Sequence, residues 1–238
     1  MKKTALIIGA SGDIGKAIAM NLSKEGYYTY LHYNRDHQAI HDLQKNLGTE
    51  NTEVLQADLS QPGSVEILAN GIAGAVDTIV YNAGASYYGL MTDINEETKN
   101  RMIQLNITSL YSTIQSFLPR MIKSRSGNIV VISSIWGQVG ASCEVLYSMT
   151  KGAQISFVKA LAKEVAPSGI RVNAIAPGAV NTKMLHHFSE DDMLQICEEI
   201  PMGRLANPQE IADSVSFLIS NKSSYTTGQT LGINGGWN

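Results

Sequence analysis

The sequence predicts an α/β chain built on a single doubly wound parallel sheet with helices on both faces. Three observations carry this. Several short runs are apolar at successive positions, as suits strands buried on both sides. They alternate with longer amphipathic stretches in a βαβα order. A glycine-rich turn joins the first run directly to the first helical stretch.

Taken in order, the strands are expected at Ala5–Ile8, Thr29–Tyr33, Glu53–Ala57, Thr78–Tyr81, Asn128–Ser133, Arg171–Ala176 and Thr230–Ile233. After the first comes Gly9-Ala10-Ser11-Gly12-Asp13-Ile14-Gly15, and then a helix over Gly15–Lys24. Such a turn lets backbone N–H groups and the helix dipole receive a pyrophosphate. A tight β–α turn with no ligand also wants glycine. The second strand leads into Tyr33-Asn34-Arg35-Asp36, where a Rossmann-type fold reads the ribose of a dinucleotide. Arg35 stands nearer the strand end than Asp36, which favours NADP over NAD. The alternative is a pair of solvated loop charges. Asp58-Leu59 closes the third strand, beside an adenine or as an Asx turn.

The fourth strand ends in Asn82-Ala83-Gly84, small enough to let a flat cofactor approach. Asn95 caps a helix expected over Glu96–Met121, with Glu96 and Glu97 at its positive end. Asn106 lies well inside it, where asparagine is a poor helix former. It is read either as a surface residue or as a mid-helix distortion holding a water near Lys151. Ser134 follows the fifth run, thirteen positions before Tyr147, and Tyr147-Ser148-Met149-Thr150-Lys151 reads Y-x-x-x-K. Four positions on a helix bring phenol and ammonium to one face. A cation there lowers a phenol pKa that is ordinarily near 10. The pair then makes a proton donor–acceptor for a carbonyl/alcohol reaction, with the Ser134 hydroxyl steadying the reacting oxygen.

Helix 147–165 carries Phe157, Leu161 and Val165 as a core or subunit-contact stripe, and Pro167-Ser168-Gly169 stops it. Pro177-Gly178 turns the chain into a segment with Met184, Leu185, Phe188 and Met193. We read about 183–201 as a substrate lid. Within it His186-His187 resembles a metal pair only superficially, since adjacent helical residues diverge and no acidic partner is placed nearby, so no metal is expected. His37 and His41 fit a solvated helix face. Asn207-Pro208-Gln209-Glu210 opens the last helix as cap, first-turn proline and capping-box acid.

Composition narrows the function. At 238 residues the chain is long enough for a large core within one domain. A net charge of −3 argues against a nucleic-acid binder. No apolar run approaches the ~20 residues that span a bilayer, and the start lacks the pattern of a signal peptide. The cysteines, Cys143 and Cys197, have no disulfide or metal spacing. A cytoplasmic enzyme is expected.

Together these residues resemble the short-chain dehydrogenase/reductases across almost the whole chain. Within the family the sequence is most similar to the bacterial beta-ketoacyl-acyl carrier protein reductases and their paralogues. Their C-terminal pattern is echoed in Ile200-Pro201-Met202-Gly203-Arg204-Leu205, Thr227-Gly228-Gln229 and Asn234-Gly235-Gly236-Trp237. The resemblance implies that Tyr147 protonates the carbonyl oxygen as hydride arrives, and that Lys151 holds the nicotinamide ribose. Ser134 would steady the oxyanion, and Asn106 would anchor a relaying water. It further implies a dinucleotide site formed by Gly9, Ser11, Gly12, Asp13, Ile14, Gly15, Asn34, Arg35, Asp58, Leu59, Asn82, Ala83, Gly84, Pro177, Gly178, Val180 and Thr182, with Tyr147 and Lys151. A homotetramer is implied through the helices carrying Asn106 and Tyr147.

Some positions depart from the family pattern. Asp13 replaces the middle glycine of the turn and is expected to turn away, capping its own helix. Gly12 stands where NADP-preferring members often have arginine, leaving the 2′-phosphate to Arg35. Tyr81 replaces the first asparagine of the N-N-A-G element. Of two arginines that meet acyl carrier protein, Arg125 matches the first and Ser168 replaces the second. Trp136 and Glu144 line the substrate side, or Trp136 is simply packed. The expectation is an NADPH-dependent reductase of a 3-oxoacyl thioester or related ketone. The alternatives are an NAD(P)-linked alcohol or sugar dehydrogenase and a sensor that binds the dinucleotide without turnover.

Overall fold

The computed structural model describes residues 2–185 and 188–237. Its strands are β1 (Thr4–Ile8), β2 (Tyr28–Tyr33), β3 (Thr52–Gln56), β4 (Thr78–Tyr81), β5 (Gly127–Ile132), β6 (Ile170–Pro177) and β7 (Thr230–Ile233). They form one sheet in the order β3-β2-β1-β4-β5-β6-β7, with every neighbouring pair parallel. The expected strands agree with these to within one residue at each end.

The helices are α1 (Asp13–Lys24), α2 (His37–Leu47), α3 (Ser64–Asn70), α4 (Glu96–Ile103), α5 (Ser109–Ser124), α6 (Trp136–Val139), α7 (Val145–Val165), α8 (Glu190–Glu199) and α9 (Pro208–Ile219). Successive strand residues serve opposite faces, as the period of two requires. Leu6, Ile8, Ile79 and Val131 pack with Leu68 of α3, Phe117 of α5 and Val158 of α7. Ala5, Ile7, Val80 and Ile132 pack with Ile18 of α1, Ile40 of α2 and Val215 of α9. The runs are apolar at every position because helices cover both sides.

The helix expected over Glu96–Met121 is present without a break but is not regular. Between α4 and α5 the residues Gln104–Thr108 form a π-helical turn, marked by the Ser109 N–H donating to the Gln104 carbonyl. The turn falls on Asn106, which is fully buried. The surface reading of that asparagine is therefore wrong, and the mid-helix distortion of the other reading is present.

Strand order reverses between β1 and β4, so their carboxyl ends border the crevice in which such sheets bind ligands. His32, at the end of β2, holds that corner from beneath. Its Nδ1 accepts the Gly9 N–H at 3.1 Å, and its Nε2 donates to the Ala57 carbonyl at 3.0 Å. One nitrogen must accept and the other must donate, so the ring is held neutral. Burial lowers its pKa from 6.5 to about 4.

A depressed histidine contributes stability that is present above the unfolded pKa and is lost as pH falls toward the folded one. Unfolding should therefore become easier from about pH 6.5 down to about pH 4, by about 3 kcal/mol at most. Denaturant titrations at pH 7 and pH 4 should show the native chain losing about that much more than His32→Asn. Equal losses in the two proteins would refute the assignment.

Candidate active site

The first wall of the crevice is the glycine turn. Gly9 has φ +83° and lies so close to β4's end that a Cβ would stand 2.9 Å from the Ala83 nitrogen. A Cβ on Gly15 would run into the Gly9 carbonyl, whereas one on the exposed Gly12 would meet only that carbonyl, at an ordinary 3.7 Å. The turn is thus pressed against Asn82-Ala83 on one side and open at the N-terminus of α1 on the other. Asn82 fixes the approach by donating its side-chain N–H to the Gly9 carbonyl at 3.1 Å. This cradle fits a pyrophosphate.

Asp13 does not cap its own helix as expected. Gly12 is the N-cap, and the Asp13 carboxylate instead accepts the backbone N–H of Lys183 at 2.8 Å. The Lys183 ammonium lies 3.6 Å from the Asp36 carboxylate. One residue from the segment after β6 therefore spans the crevice from the glycine turn to the end of β2.

At that end Asp36 caps α2, accepting the Ala39 N–H at 3.0 Å. That hydrogen bond foremost, with the charge of Lys183, lowers its pKa. Asp36 is thus engaged as a cap although, like Arg35, it is exposed. Asn34 donates to the Asp58 carboxylate at 3.1 Å. Asp58 also accepts the Ser60 N–H at 3.1 Å and the Ser60 hydroxyl at 2.6 Å, which makes it an Asx turn. Burial acts to raise the Asp58 pKa, but the Ser60 hydrogen bonds together with the charges of Arg101 and Arg35 hold it below its usual range. Leu59 is buried in the core, and its carbonyl accepts the Ser109 hydroxyl at 2.6 Å.

The second wall brings together the four residues expected to do chemistry. Ser134, at the end of β5, is a hydrogen-bond partner of the Tyr147 phenol on α7. Lys151, one turn further along α7, is buried with its ammonium 5.5 Å from the Tyr147 ring centroid. A Cβ on Gly84 would lie 3.5 Å from both Lys151 Nζ and Asn106 Oδ1, so the end of β4 meets these side chains directly. The Asn106 amide donates to the Ala85 carbonyl at 2.9 Å and to the Thr150 hydroxyl at 3.0 Å. Its oxygen accepts the Ala85 N–H at 3.0 Å.

The electrostatics differ from the expectation of an acidified phenol. Burial first, then the charge of Glu144, raise the Tyr147 pKa, against the opposing hydrogen bond with Ser134. Burial lowers that of Lys151 to about 7. Burial thus disfavours the charged form of both groups, the phenolate and the ammonium.

The third wall follows β6. The Pro177 carbonyl accepts the Ile135 N–H at 3.0 Å, Gly178 is packed against Asn234, and Val180 is buried. Thr182 begins a short helical turn whose Leu185 N–H returns to its carbonyl at 3.0 Å. Beyond it Phe188 meets Tyr88 edge-on at 6.3 Å between ring centroids. His186 and His187 lie outside the described residues. Trp136 packs on Trp237 at 4.9 Å, so its packed reading holds while it remains at the mouth beside Ser134. Arg125 donates to the Pro167 carbonyl at 3.0 Å, on the same loop as Ser168.

Two functional neighbours escape a reading by motif. Tyr81, expected only to substitute for an asparagine, is fully buried and donates to the Leu105 carbonyl at 2.7 Å. Gln154 is buried between Lys151 and the π turn. Its signal was a polar residue three positions after Lys151 on the same helix face.

Residues 9–238 match the family model described as enoyl-(acyl carrier protein) reductase. The chain is 54% identical to the oxidoreductase YmfI of Bacillus subtilis (strain 168), over 100% of this chain and 99% of that one. It is 37% identical to the 3-oxoacyl-[acyl-carrier-protein] reductase FabG of Escherichia coli (strain K12), over 98% of this chain and 96% of the other. Among solved structures, YwfH, an NADPH-dependent reductase involved in bacilysin biosynthesis, superposes with a TM-score of 0.93 at 25% identity, covering 100% of this chain and 99% of that one. Matches of this extent, on a sheet whose crevice carries the glycine cradle and the tyrosine–lysine wall, establish the family: the chain belongs to the short-chain dehydrogenase/reductases and is an oxidoreductase that works with a nicotinamide dinucleotide.

Proposed function

We propose that the protein is an NADPH-dependent reductase that converts a ketone, most readily a 3-oxoacyl thioester, to the secondary alcohol. The observation that carries this reading is the convergence of Ser134, Tyr147 and Lys151 beside Gly84 at the switch point of the sheet. A bound nicotinamide dinucleotide supplies hydride. The chain's own residues do the rest. Ser134 donates a hydrogen bond to the substrate carbonyl oxygen, and Tyr147 delivers the proton that oxygen needs as it becomes an alkoxide. A phenol whose pKa is raised by burial holds that proton throughout the neutral range, which suits a donor in the reductive direction. Lys151, tied to the Ile132 carbonyl at 2.8 Å, is set to hold the nicotinamide ribose.

NADP is favoured over NAD because the Asp36 carboxylate already accepts from the α2 N-terminus and pairs with Lys183, which leaves it less acceptor capacity for ribose hydroxyls. Arg35 is exposed beside it and able to meet a 2′-phosphate. The names of the FabG relatives and of YwfH support the thioester and NADPH readings respectively. We read 183–201 as the substrate lid, with Phe188 against Tyr88 as its contact across the crevice. Exposed Tyr111 on α5 and Met149 on α7 support assembly of copies through these helices, as a homotetramer. Acyl carrier protein and coenzyme A remain the two carriers for the thioester. No helix among the described residues is long and apolar enough to cross a membrane.

Purified protein should oxidise NADPH in the presence of 3-oxoacyl thioesters. Tyr147→Phe should cut that rate by roughly 10²–10⁴ while leaving NADPH binding intact. A variant that keeps most of its turnover would eliminate Tyr147 as the donor. Absence of turnover on thioesters, diketones and sugars alike would favour the sensor reading.

Arg35→Asp should move the ratio of kcat/KM for NADPH over NADH toward NADH by at least tenfold, since a phosphate-pairing cation becomes a ribose-binding carboxylate. An unmoved ratio would exclude Arg35 as the discriminating residue.

A further inference from the structure

We propose that Gln154 is a positioning residue that joins Lys151 to the π turn at Asn106, so that one side-chain amide fixes both the catalytic ammonium and the backbone it faces. This rests on the role of Lys151 in the proposed reaction. The Gln154 oxygen accepts from Lys151 Nζ at 3.3 Å, and its N–H₂ donates to the Asn106 carbonyl at 2.8 Å. Gln154 is 1% exposed, so neither end of the amide is answered by bulk solvent.

The need for such a group comes from the helix. A π turn shifts the backbone register from i+4 to i+5, opening carbonyls on that stretch to other donors. Here two successive carbonyls are taken by side chains from outside the helix. Tyr81 of β4 donates to Leu105, and Gln154 of α7 donates to Asn106. The second contact decides the amide's orientation. With N–H₂ turned to a carbonyl, the oxygen must face the other way, toward Lys151. A lysine ammonium has only donors and the Asn106 carbonyl only accepts, so a neutral amide, accepting at one end and donating at the other, serves both at once.

The groups facing Lys151 are few. From its own helix they are Tyr147 and Gln154, from β5 the Ile132 carbonyl, from the end of β4 Gly84, and from the π turn Asn106. Tyr147 alone among these titrates, and Glu144 places a charge near it. An acceptor on the ammonium favours the charged amine, so removing it should make Lys151 easier to deprotonate.

The test follows Lys151 directly, through the Cε resonance of protein labelled with ¹³C-lysine and assigned by its loss in Lys151→Met. In unliganded protein Gln154→Leu should move the Lys151 midpoint down by about one pH unit, and Gln154→Glu should move it up by at least one unit. The high-pH limb of ketone reduction should shift in the same two directions. A merely structural role would lower thermal stability and leave the midpoint in place. Unchanged midpoints in both variants would overturn the proposal, as would two shifts of the same sign. The glutamate variant keeps the shape of the native side chain and serves as the test if the leucine variant fails to fold. Because the titration needs no turnover, a protein that reduces no ketone would refute the functional reading while still answering this one.

Discussion

The constraint on which the site depends is the burial of Asn106. Its amide binds both backbone groups of Ala85 and the hydroxyl of Thr150, so the end of β4, the helix between Glu96 and Ser124 and α7 meet in one side chain. A buried amide without partners would cost several kcal/mol in an apolar environment. Here its oxygen and its two N–H bonds are all used. The helix gives way to allow it. A regular α-helical register yields to a π turn, and the carbonyls involved are recovered by Tyr81 and Gln154. Local helix geometry is sacrificed because three elements must be held at one point.

The opposite wall obeys a related logic with backbone in place of side chains. Gly9 can approach Ala83 only because it lacks a Cβ, and the approach is held from two sides by His32 and Asn82. The Asp13 carboxylate, which would repel a pyrophosphate if it faced one, is occupied by the Lys183 N–H. Its negative charge is thereby drawn to the segment that follows β6, and Gly12 is the exposed residue of the turn.

Much of this was legible before any coordinates. Strands could be read because each buries both faces, so its residues are apolar without interruption. The Ser134, Tyr147 and Lys151 set could be read because a helix makes a spacing of four into a shared face. The chain's end signals were equally local: Glu210 accepts the Asn207 N–H at 2.8 Å, as its capping box requires. What could not be read depends on partners far along the chain. Asn106 finds Thr150 forty-four residues away, and Gln154 finds Asn106 at a separation of forty-eight. Nothing in a window around residue 106 distinguishes an asparagine on a wet helix face from one that bends the helix to reach a strand. Asp13 failed for the same reason, its partner being 170 residues distant.

The tyrosine–lysine pair shows why proximity along a helix does not settle a protonation state. Spacing predicts a cation beside a phenol, and that alone would lower the phenol's pKa. The coordinates add burial, which acts on both groups in opposite senses: it disfavours the phenolate and it disfavours the ammonium. The cation expected to help the phenolate is thereby made less available near neutral pH. Burial consequently decides the sign, and the unliganded site holds a protonated phenol beside an amine that is easily discharged. In the proposed reduction that phenol is the proton donor. The Ile132 and Gln154 oxygens, each accepting from Lys151 Nζ, favour the charged amine, so these hydrogen bonds and burial pull the lysine in opposite directions.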